Sequence, residues 1–119
     1  MIALVDTSIW VDHFHGADPA LADLLNTGFV LMHPFVLGEL ACGNLARRPQ
    51  VLRELAELPP ALRAEDEEVL ELIETRKLYG LGIGWVDAHL IASALLSDCD
   101  LLTADQRLKK AARQAGARA

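Results

Sequence analysis

The sequence predicts an α/β fold, in which helices cover both faces of a mostly parallel sheet. Three short apolar runs, over residues 2–5, 29–32 and 101–103, lack polar alternation and are typical of strands buried on both faces. Segments with helical spacing of apolar residues separate these runs, and strands that alternate with helices favour a parallel sheet. The chain has 119 residues, so we expect a single domain over residues 1–119.

Helix signals fill the intervals between the apolar runs. Thr7 and Ser8 offer N-cap hydroxyls, and Asp18 followed by Pro19 is typical of a helix start. Three glycines within residues 80–84 predict a loop before a mostly apolar helix. A weaker fourth strand candidate covers residues 61–64. The predicted helices cover about residues 7–14, 19–27, 34–45, 49–58, 65–79, 85–96 and 105–115.

The overall charge argues at first against a nucleic-acid partner. Lysine and arginine number 11 and aspartate and glutamate 17, which gives a net charge of −6, whereas phosphate binding favours a basic surface. Aromatic residues make up only 5% of the chain, and we expect them to be too scattered for a base-stacking surface. Hydrophobic residues make up 52%, which excludes a disordered chain.

The sequence favours a soluble, cytoplasmic protein with no membrane association. Cys42 and Cys99 have neither the spacing of a zinc site nor a disulfide framework, and we expect both to be small buried residues. The N-terminus lacks the basic and apolar regions of a signal peptide. No apolar run reaches the length that crosses a bilayer.

Four acidic residues fall where an α/β sheet binds its ligands, beyond the carboxyl ends of the strands. Asp6 directly follows the first apolar run, and Asp105 follows the last. Glu39 and Asp87 lie near the starts of predicted helices. No lysine or arginine is close in sequence to Asp6, Glu39 or Asp87, and an unpaired charge among apolar residues is costly to bury. We therefore expect the four carboxylates to converge.

Converging carboxylates repel one another and favour a divalent cation. A ligand set made only of oxygen favours Mg²⁺ or Mn²⁺ over zinc. Such a site suits phosphodiester hydrolysis, because the metal activates water and neutralises phosphate charge. The alternative is structural: Asp6, Asp87 and Asp105 could each cap a helix or complement its dipole.

The histidines and Ser8 give weaker signals. His13 and His15 are two positions apart and point to different faces of a helix, so we expect no metal site there. We expect His33 to be exposed to solvent and His89 to lie off the acidic face of its helix. No His–Asp pair is visible that would make Ser8 a catalytic nucleophile.

The segments that carry these acids resemble the PIN-domain ribonucleases, and specifically the VapC toxins of bacterial toxin–antitoxin pairs. The order and spacing of the acids are similar to those of the family, and the resemblance extends over essentially the whole chain. The matching segments are Val5-Asp6-Thr7-Ser8, the helix with Glu39, the helix with Asp87, Ile91-Ala92 and Ala94, and Leu102-Thr103-Ala104-Asp105.

The resemblance implies both a fold and an activity. The fold would be a PIN-like three-layer α/β/α sandwich around a central sheet of four or five mostly parallel strands, the fifth following the last helix. The activity would be that of an endoribonuclease that uses Mg²⁺ or Mn²⁺, acts as the toxin of a type II toxin–antitoxin pair, forms a homodimer and is inhibited by a cognate antitoxin protein.

The resemblance also implies roles for individual residues. The metal would be held, directly or through water, by Asp6, Glu39, Asp87 and Asp105. Thr103 would orient a carboxylate or a metal-bound water, and Ser8 or Thr7 would hydrogen-bond near Asp6. A basic helix face follows the last acid and could contact RNA phosphate or simply be solvated, and the same two interpretations apply to Arg47 and Arg48. That basic face comprises Arg107, Lys109, Lys110 and Arg113.

Two other functions remain open. A catalytically silent PIN-like binding module, whose role is partner assembly, would also fit the high apolar content. A receiver domain or a haloacid-dehalogenase-like phosphatase would also need an acidic pocket. The phosphatase pattern needs a second Asp two places after Asp6, where Ser8 stands, and no Asp ends the segment 61–64 as a receiver requires.

Overall fold

The computed structural model describes residues 1–16 and 19–119 and confirms the α/β architecture. Asp18, the expected N-cap of the second helix, lies outside the described residues. The elements in chain order are β1 (Ala3–Val5), α1 (Thr7–His15), α2 (Pro19–Thr27), β2 (Val30–Leu31), α3 (Pro34–Cys42), α4 (Arg48–Ala56), α5 (Asp66–Thr75), α6 (Trp85–Ser97), β3 (Asp100–Leu102) and α7 (Gln106–Gln114).

The sheet is parallel, with strand order β2-β1-β3 in the described part of the chain. β1 lies in the centre, with Leu4 opposite Leu31 on one side and Leu101 on the other. All three residues of β1 are fully buried, as expected of a strand covered on both faces. The carboxyl ends of all three strands therefore lie at one edge of the sheet, where Asp6 follows β1.

The expected fourth strand over residues 61–64 is wrong. Only a single parallel bridge joins Met32 to Pro60. The Met32 N–H donates to the Pro59 carbonyl at 2.8 Å, and the Ala61 N–H donates to the Met32 carbonyl at 2.9 Å. Proline has no N–H to extend the ladder, and the Leu62 N–H turns away to the Ser97 hydroxyl.

The fifth strand that the resemblance implied is reduced to one contact. The Leu101 N–H donates to the Arg118 carbonyl at 2.8 Å, so the C-terminal segment lies along β3 without forming a ladder. The Arg118 guanidinium holds the segment there through Asp98 and Asp100. The described sheet therefore has three strands rather than four or five.

Two helices end earlier than their apolar patterns predict. α3 ends at Cys42, followed by Gly43, so Leu45 lies outside it. α5 ends at Thr75, because Lys77 adopts a left-handed φ of 55° that a helix cannot continue through. Cys99 is buried, and burial raises the pKa of its thiol, but Cys42 is exposed at the end of α3, contrary to expectation.

α6 carries most of the buried surface that positions the site. Seven consecutive residues of this helix, from Ala88 to Ala94, are buried. α5 packs against α6, while α1 packs against α3. Among the described residues, no helix is long and apolar enough to cross a membrane.

Candidate active site

Among the four acids, Asp6 accepts the most hydrogen bonds. It directly follows β1, caps α1 and is only 8% exposed. Its Oδ1 accepts a hydrogen bond from the Thr7 N–H at 2.7 Å. Its Oδ2 accepts from the Ser8 hydroxyl at 3.0 Å and from the Thr103 hydroxyl at 2.8 Å. One backbone N–H and two hydroxyl groups, from the start of α1 and the end of β3, thus fix this carboxylate at the sheet edge.

Thr103 and Ser8 also connect the ends of β1 and β3. The Thr103 hydroxyl accepts a hydrogen bond from the Asp105 N–H at 3.0 Å, and the Ser8 hydroxyl accepts from the Ala104 N–H at 3.2 Å. Each hydroxyl therefore donates to Asp6 and accepts from the loop that carries Asp105. Because each uses both its donor and an acceptor site, neither can rotate without losing a bond.

Glu39 reaches this group from α3. The helix begins with Pro34 and places Glu39 on an exposed face. The Thr7 hydroxyl donates to Glu39 Oε1 at 2.8 Å. Thr7 therefore binds two acids, Asp6 through its N–H and Glu39 through its hydroxyl. The second contact was not predicted, since nothing in the sequence shows how α1 packs on α3.

Asp87 lies in the first turn of α6, where its Oδ2 accepts from the Gly84 N–H at 3.0 Å. Burial raises the pKa of this carboxyl, and the negative charges of Asp6, Asp105 and Glu39 raise it further, against the opposing effect of the Gly84 hydrogen bond. All three other acids are thus close enough to act on Asp87. The structure brings the four carboxylates into one electrostatic group.

Asp105 caps α7 with a single oxygen. Its Oδ1 accepts from the Arg107 and Leu108 N–H groups at 2.9 and 3.3 Å. Capping therefore explains part of the placement of Asp6, Asp87 and Asp105, as the structural alternative predicts. It does not explain Glu39, which sits in the middle of its helix, nor the convergence of all four acids.

The group retains free oxygens and lacks a protein cation. In the described part of the chain, no lysine or arginine forms an ion pair with any of the four acids. Asp87 Oδ1, Asp105 Oδ2 and Glu39 Oε2 have no hydrogen-bond partner among the described residues. In the described part of the chain, no three side chains of Asp, Glu, His or Cys lie close enough together to coordinate one metal ion directly. The donor set suits a hydrated Mg²⁺, which keeps several of its waters.

The basic face of α7 divides into a part near the acids and a part remote from them. The Arg107 side chain crosses Gly82, where an added Cβ would lie 2.8 Å from its Cδ. Arg113 instead donates to the Ala119 carbonyl at 2.7 Å and secures the C-terminus. Lys110 is exposed and Lys109 half-buried, and no ion pair involves either in residues 1–16 and 19–119. Arg107 is thus the residue of this basic face that lies against the glycine loop before α6.

Arg48 and Arg47 lie at the start of α4. The Arg48 guanidinium donates to the carbonyls of Ala41 and Gly43, at the end of α3. This use is structural, because it satisfies carbonyls that a helix end leaves unpaired. Arg47 adopts a left-handed φ of 52° and remains exposed.

The expectation that His33 is solvent-exposed is wrong. His33 is fully buried, and its Nδ1 caps α3 by accepting from the Phe35 N–H at 2.9 Å. Burial above all, together with the nearby His89 and Arg63, lowers the pKa of His33 from 6.5 to about 4. A neutral ring is needed here, because only the neutral imidazole has an acceptor nitrogen.

His89 is also fully buried, off the face of α6 that carries Asp87. Its ring meets those of Phe35 and Trp85 edge-on, with centroids 4.8 and 4.6 Å away. Its Nε2 lies 3.2 Å from Asp66 Oδ1, at the start of α5, without hydrogen-bond geometry. The buried histidines thus pack α3 and α5 against α6. A helix-capping signal before Pro34 could have indicated this for His33.

A groove of about 430 Å³ runs from Glu39 along α1, α3 and α4. Apart from Glu39, its walls are mainly apolar, with Phe14 and Val11 on one side and Val51 on the other. The site therefore has an acidic end that continues into an apolar channel.

Comparisons with known proteins agree with this architecture. The family model of the PIN domain matches residues 3–114. Two proteins of Mycobacterium tuberculosis, from strains CDC 1551 and H37Rv and both called Ribonuclease VapC32, are 43% identical over 114 residues, covering 95% of this chain and 92% of theirs.

A solved structure shares the fold. The crystal structure of PAE2754 from Pyrobaculum aerophilum superposes with a TM-score of 0.62 at 18% identity, covering 93% of this chain and 79% of that one. At this identity the match concerns the fold alone. The family model, the identity to the VapC32 proteins and the parallel sheet together lead to one conclusion: the chain belongs to the PIN domain family and, within it, to the group of VapC-type ribonucleases.

Proposed function

We propose that this protein is an endoribonuclease that depends on Mg²⁺ or Mn²⁺ and acts as the toxin of a type II toxin–antitoxin pair. The observation that carries the proposal is the convergence of Asp6, Glu39, Asp87 and Asp105 in one electrostatic group without a protein cation. Mutual repulsion among carboxylates that lie close together is costly unless a cation compensates it. The 43% identity to proteins called ribonucleases supports RNA as the substrate.

The acids would have different tasks at this site. Asp6 is the fixed ligand, since three hydrogen bonds hold its two oxygens. Glu39, Asp87 and Asp105 each offer one free oxygen toward an ion or its waters. When bound, the divalent ion supplies a water activated as a nucleophile and neutralises charge on the phosphodiester. Thr103 and Ser8 act as positioning residues through their hydrogen bonds to Asp6.

RNA binding to a chain of net charge −6 needs a local cation. Arg107 is our candidate for the phosphate contact, because it follows Asp105 by two residues and lies over Gly82. Lys109 and Lys110 could extend this contact along α7, whereas Arg113 donates a hydrogen bond to the carbonyl of Ala119 at the C-terminus.

We propose that the cognate antitoxin inserts an apolar segment into the groove between α1, α3 and α4. The groove opens at Glu39, so a segment bound there would block access to the acids. Its apolar walls suit a partner helix with an apolar face. Substituting Phe14, which lines the groove and is 38% exposed, would then weaken antitoxin binding without changing the carboxylate group.

We propose that the protein forms a homodimer in the cytoplasm. Leu62, Leu95 and Leu96 are 59%, 36% and 46% exposed, and the Leu62–Ser97 hydrogen bond brings them near one another. Exposed leucines in a group are typical of an interface. The free Cys42 thiol suits a reducing compartment. Size-exclusion chromatography with light scattering tests the dimer, and the Leu62→Asp and Leu96→Asp changes should produce a monomer.

The proposed activity is tested by incubating the purified protein with total cellular RNA. We expect cleavage in Mg²⁺ or Mn²⁺, none in excess EDTA, and recovery when the metal is restored. The Asp87→Asn variant should be inactive although folded. Cleavage that continues at the same rate in EDTA would refute metal dependence.

The silent binding module remains a second candidate, favoured by the absence of a closed coordination shell among the described residues. It predicts no RNA cleavage in any metal, together with normal antitoxin binding. A titration of the wild type with Mn²⁺, followed by calorimetry, separates the two proposals. Binding that is lost in Asp87→Asn supports the nuclease, and no binding supports the silent module.

A further inference from the structure

A second, smaller cavity of about 190 Å³ lies at the junction of α5, the glycine loop and the start of α6. Its floor is apolar, formed by Leu78, Ile83 and Ala88 among others. Two aromatic side chains form its rim: Tyr79 is 58% exposed and Trp85 42% exposed. Two of the six aromatic residues of the chain thus line one pocket.

The pocket adjoins the helix turn that carries Asp87. Gly84 lines the pocket, and its N–H holds Asp87 Oδ2 at 3.0 Å. Ala88, the next residue after Asp87, lines the same pocket. A group bound between Tyr79 and Trp85 would therefore lie within one helical turn of a proposed metal ligand.

The loop that shapes the pocket is held in an unusual conformation. Lys77, Gly80 and Gly82 all have positive φ angles, of 55°, 72° and 80°. Gln114 of α7 fixes the start of the loop by donating to the carbonyls of Arg76 and Lys77 at 2.9 and 3.1 Å. A positive φ is sterically costly for Lys77, though not for the two glycines, and it persists where the surroundings impose it. The conformation of the loop is therefore imposed by the contacts around it.

Backbone donors on this loop remain available. The N–H groups of Gly82 and Ile83 have no acceptor among residues 1–16 and 19–119. These donors lie beside an apolar cavity whose volume suits one ring system rather than a larger ligand. An apolar slot with exposed aromatic walls and a few polar groups is the chemistry that recognises a nucleobase.

We propose that this pocket binds an unpaired nucleobase of the RNA substrate, next to the phosphodiester at the four acids, with Tyr79 and Trp85 as stacking residues. The proposal rests on the proposed nuclease function for its substrate class. The Arg107 side chain crosses the same loop at Gly82, so the phosphate of the bound nucleotide would have a cation close to it. Base preference at one position beside the cut would originate here.

Binding is tested with a labelled single-stranded RNA decamer, using Ca²⁺ in place of Mg²⁺ so that oxygen ligands are occupied without turnover. A series of decamers carries one abasic nucleotide at each position in turn. We expect wild-type affinity to fall about 10-fold for an abasic nucleotide at one position, as loss of one stacked base predicts.

The variants Tyr79→Ala and Trp85→Ala should bind the intact decamer about 10-fold more weakly and should not distinguish the abasic series. Tyr79→Phe keeps the ring and should bind like the wild type. Phe29→Ala is the matched control, because Phe29 is a 45% exposed aromatic residue just before β2, at the opposite edge of the sheet. Circular dichroism confirms that each variant is folded.

Equal affinity of the wild type for all abasic decamers would overturn the proposal, and so would Tyr79→Ala binding as tightly as Phe29→Ala. Sequencing the ends produced from a random RNA pool separates this outcome from failure of the nuclease. Cleavage with no base preference supports the nuclease proposal and refutes the pocket proposal. If affinity falls for an abasic nucleotide at one position but no RNA is cleaved, the pocket proposal is supported and the nuclease proposal is refuted.

Discussion

At the scale of single residues, the site depends on hydroxyl groups that organise charge. Thr103 donates to Asp6 and accepts from the Asp105 backbone, so one side chain couples two of the four acids. The sequence shows Thr103 two positions before Asp105, and the family resemblance implied that it orients a carboxylate or a metal-bound water, but neither identified Asp6 as its partner. The contact with Asp6 spans 97 positions and follows from β1 and β3 pairing in register.

Replacing Thr103 with valine should reduce RNA cleavage by about 10- to 100-fold, because Asp6 loses a donor that orients it. The unpaired Asp105 N–H should also lower the free energy of unfolding by about 1–2 kcal/mol. Thr103→Ser should restore most activity. Thr27→Val is the matched control, since the Thr27 hydroxyl bonds only to the Leu24 carbonyl. Cleavage rates and urea unfolding measure both effects, and a fully active valine variant would remove Thr103 from the mechanism.

His33 should make stability depend on pH. The pKa of His33 is about 4 in the folded protein and 6.5 ordinarily, so between these values the unfolded chain binds more protons. The free energy of unfolding should therefore fall, by up to about 3 kcal/mol, as pH decreases from 6.5 to 4.

The matched variants for this prediction are His33→Asn and His15→Asn. Asparagine keeps a capping acceptor but does not titrate, so His33→Asn should flatten the pH dependence between pH 6.5 and 4. His15 is exposed on α1, and its substitution should leave the dependence unchanged. Urea unfolding at pH 7 and pH 4.5 measures the slopes, and equal slopes in all three proteins would contradict the assignment.

At the scale of elements, the sequence predicted the helices and strands whose ends are determined by local residue chemistry. Proline, glycine and acidic residues mark helix starts and ends, and the apolar runs mark β1 and β3, so the helices and the parallel sheet were predictable. The fourth strand expected over residues 61–64 does not form, because Pro59 and Pro60 limit pairing to one bridge. The pocket lined by Tyr79 and Trp85 was not predictable, since its shape depends on a loop with three positive φ angles.

Two glycines should respond in opposite directions to alanine. Gly82 has a φ of +80°, and an added Cβ would lie 2.8 Å from Arg107 Cδ, so Gly82→Ala should lower the free energy of unfolding by about 1–2 kcal/mol. Gly38 lies within α3 with nothing within 4 Å of an added Cβ. Gly38→Ala should therefore raise the free energy of unfolding by about 0.5–1 kcal/mol. Thermal unfolding distinguishes them, and a stabilising Gly82→Ala would show that the loop is not strained.

At the scale of the whole molecule, the position of the charge is more informative than its sign. The net charge of −6 argued against RNA, yet the structure concentrates four acids at the carboxyl edge of one parallel sheet. β1 and β3 place Asp6 and Asp105 there directly, while α3 and α6 bring Glu39 and Asp87 from the sequence between them. Their convergence could be expected from topology, but their hydrogen bonds could not.

A metal-dependent ribonuclease site formed by these four carboxylates predicts different activities for the Asp6→Asn and Asp23→Asn variants. Asp23 is an exposed acid on α2, so its substitution removes the same charge away from the site. With Mg²⁺ or Mn²⁺ and a cellular RNA pool, we predict cleavage by the wild type and Asp23→Asn and none by Asp6→Asn. Equal cleavage by all three proteins would contradict the account.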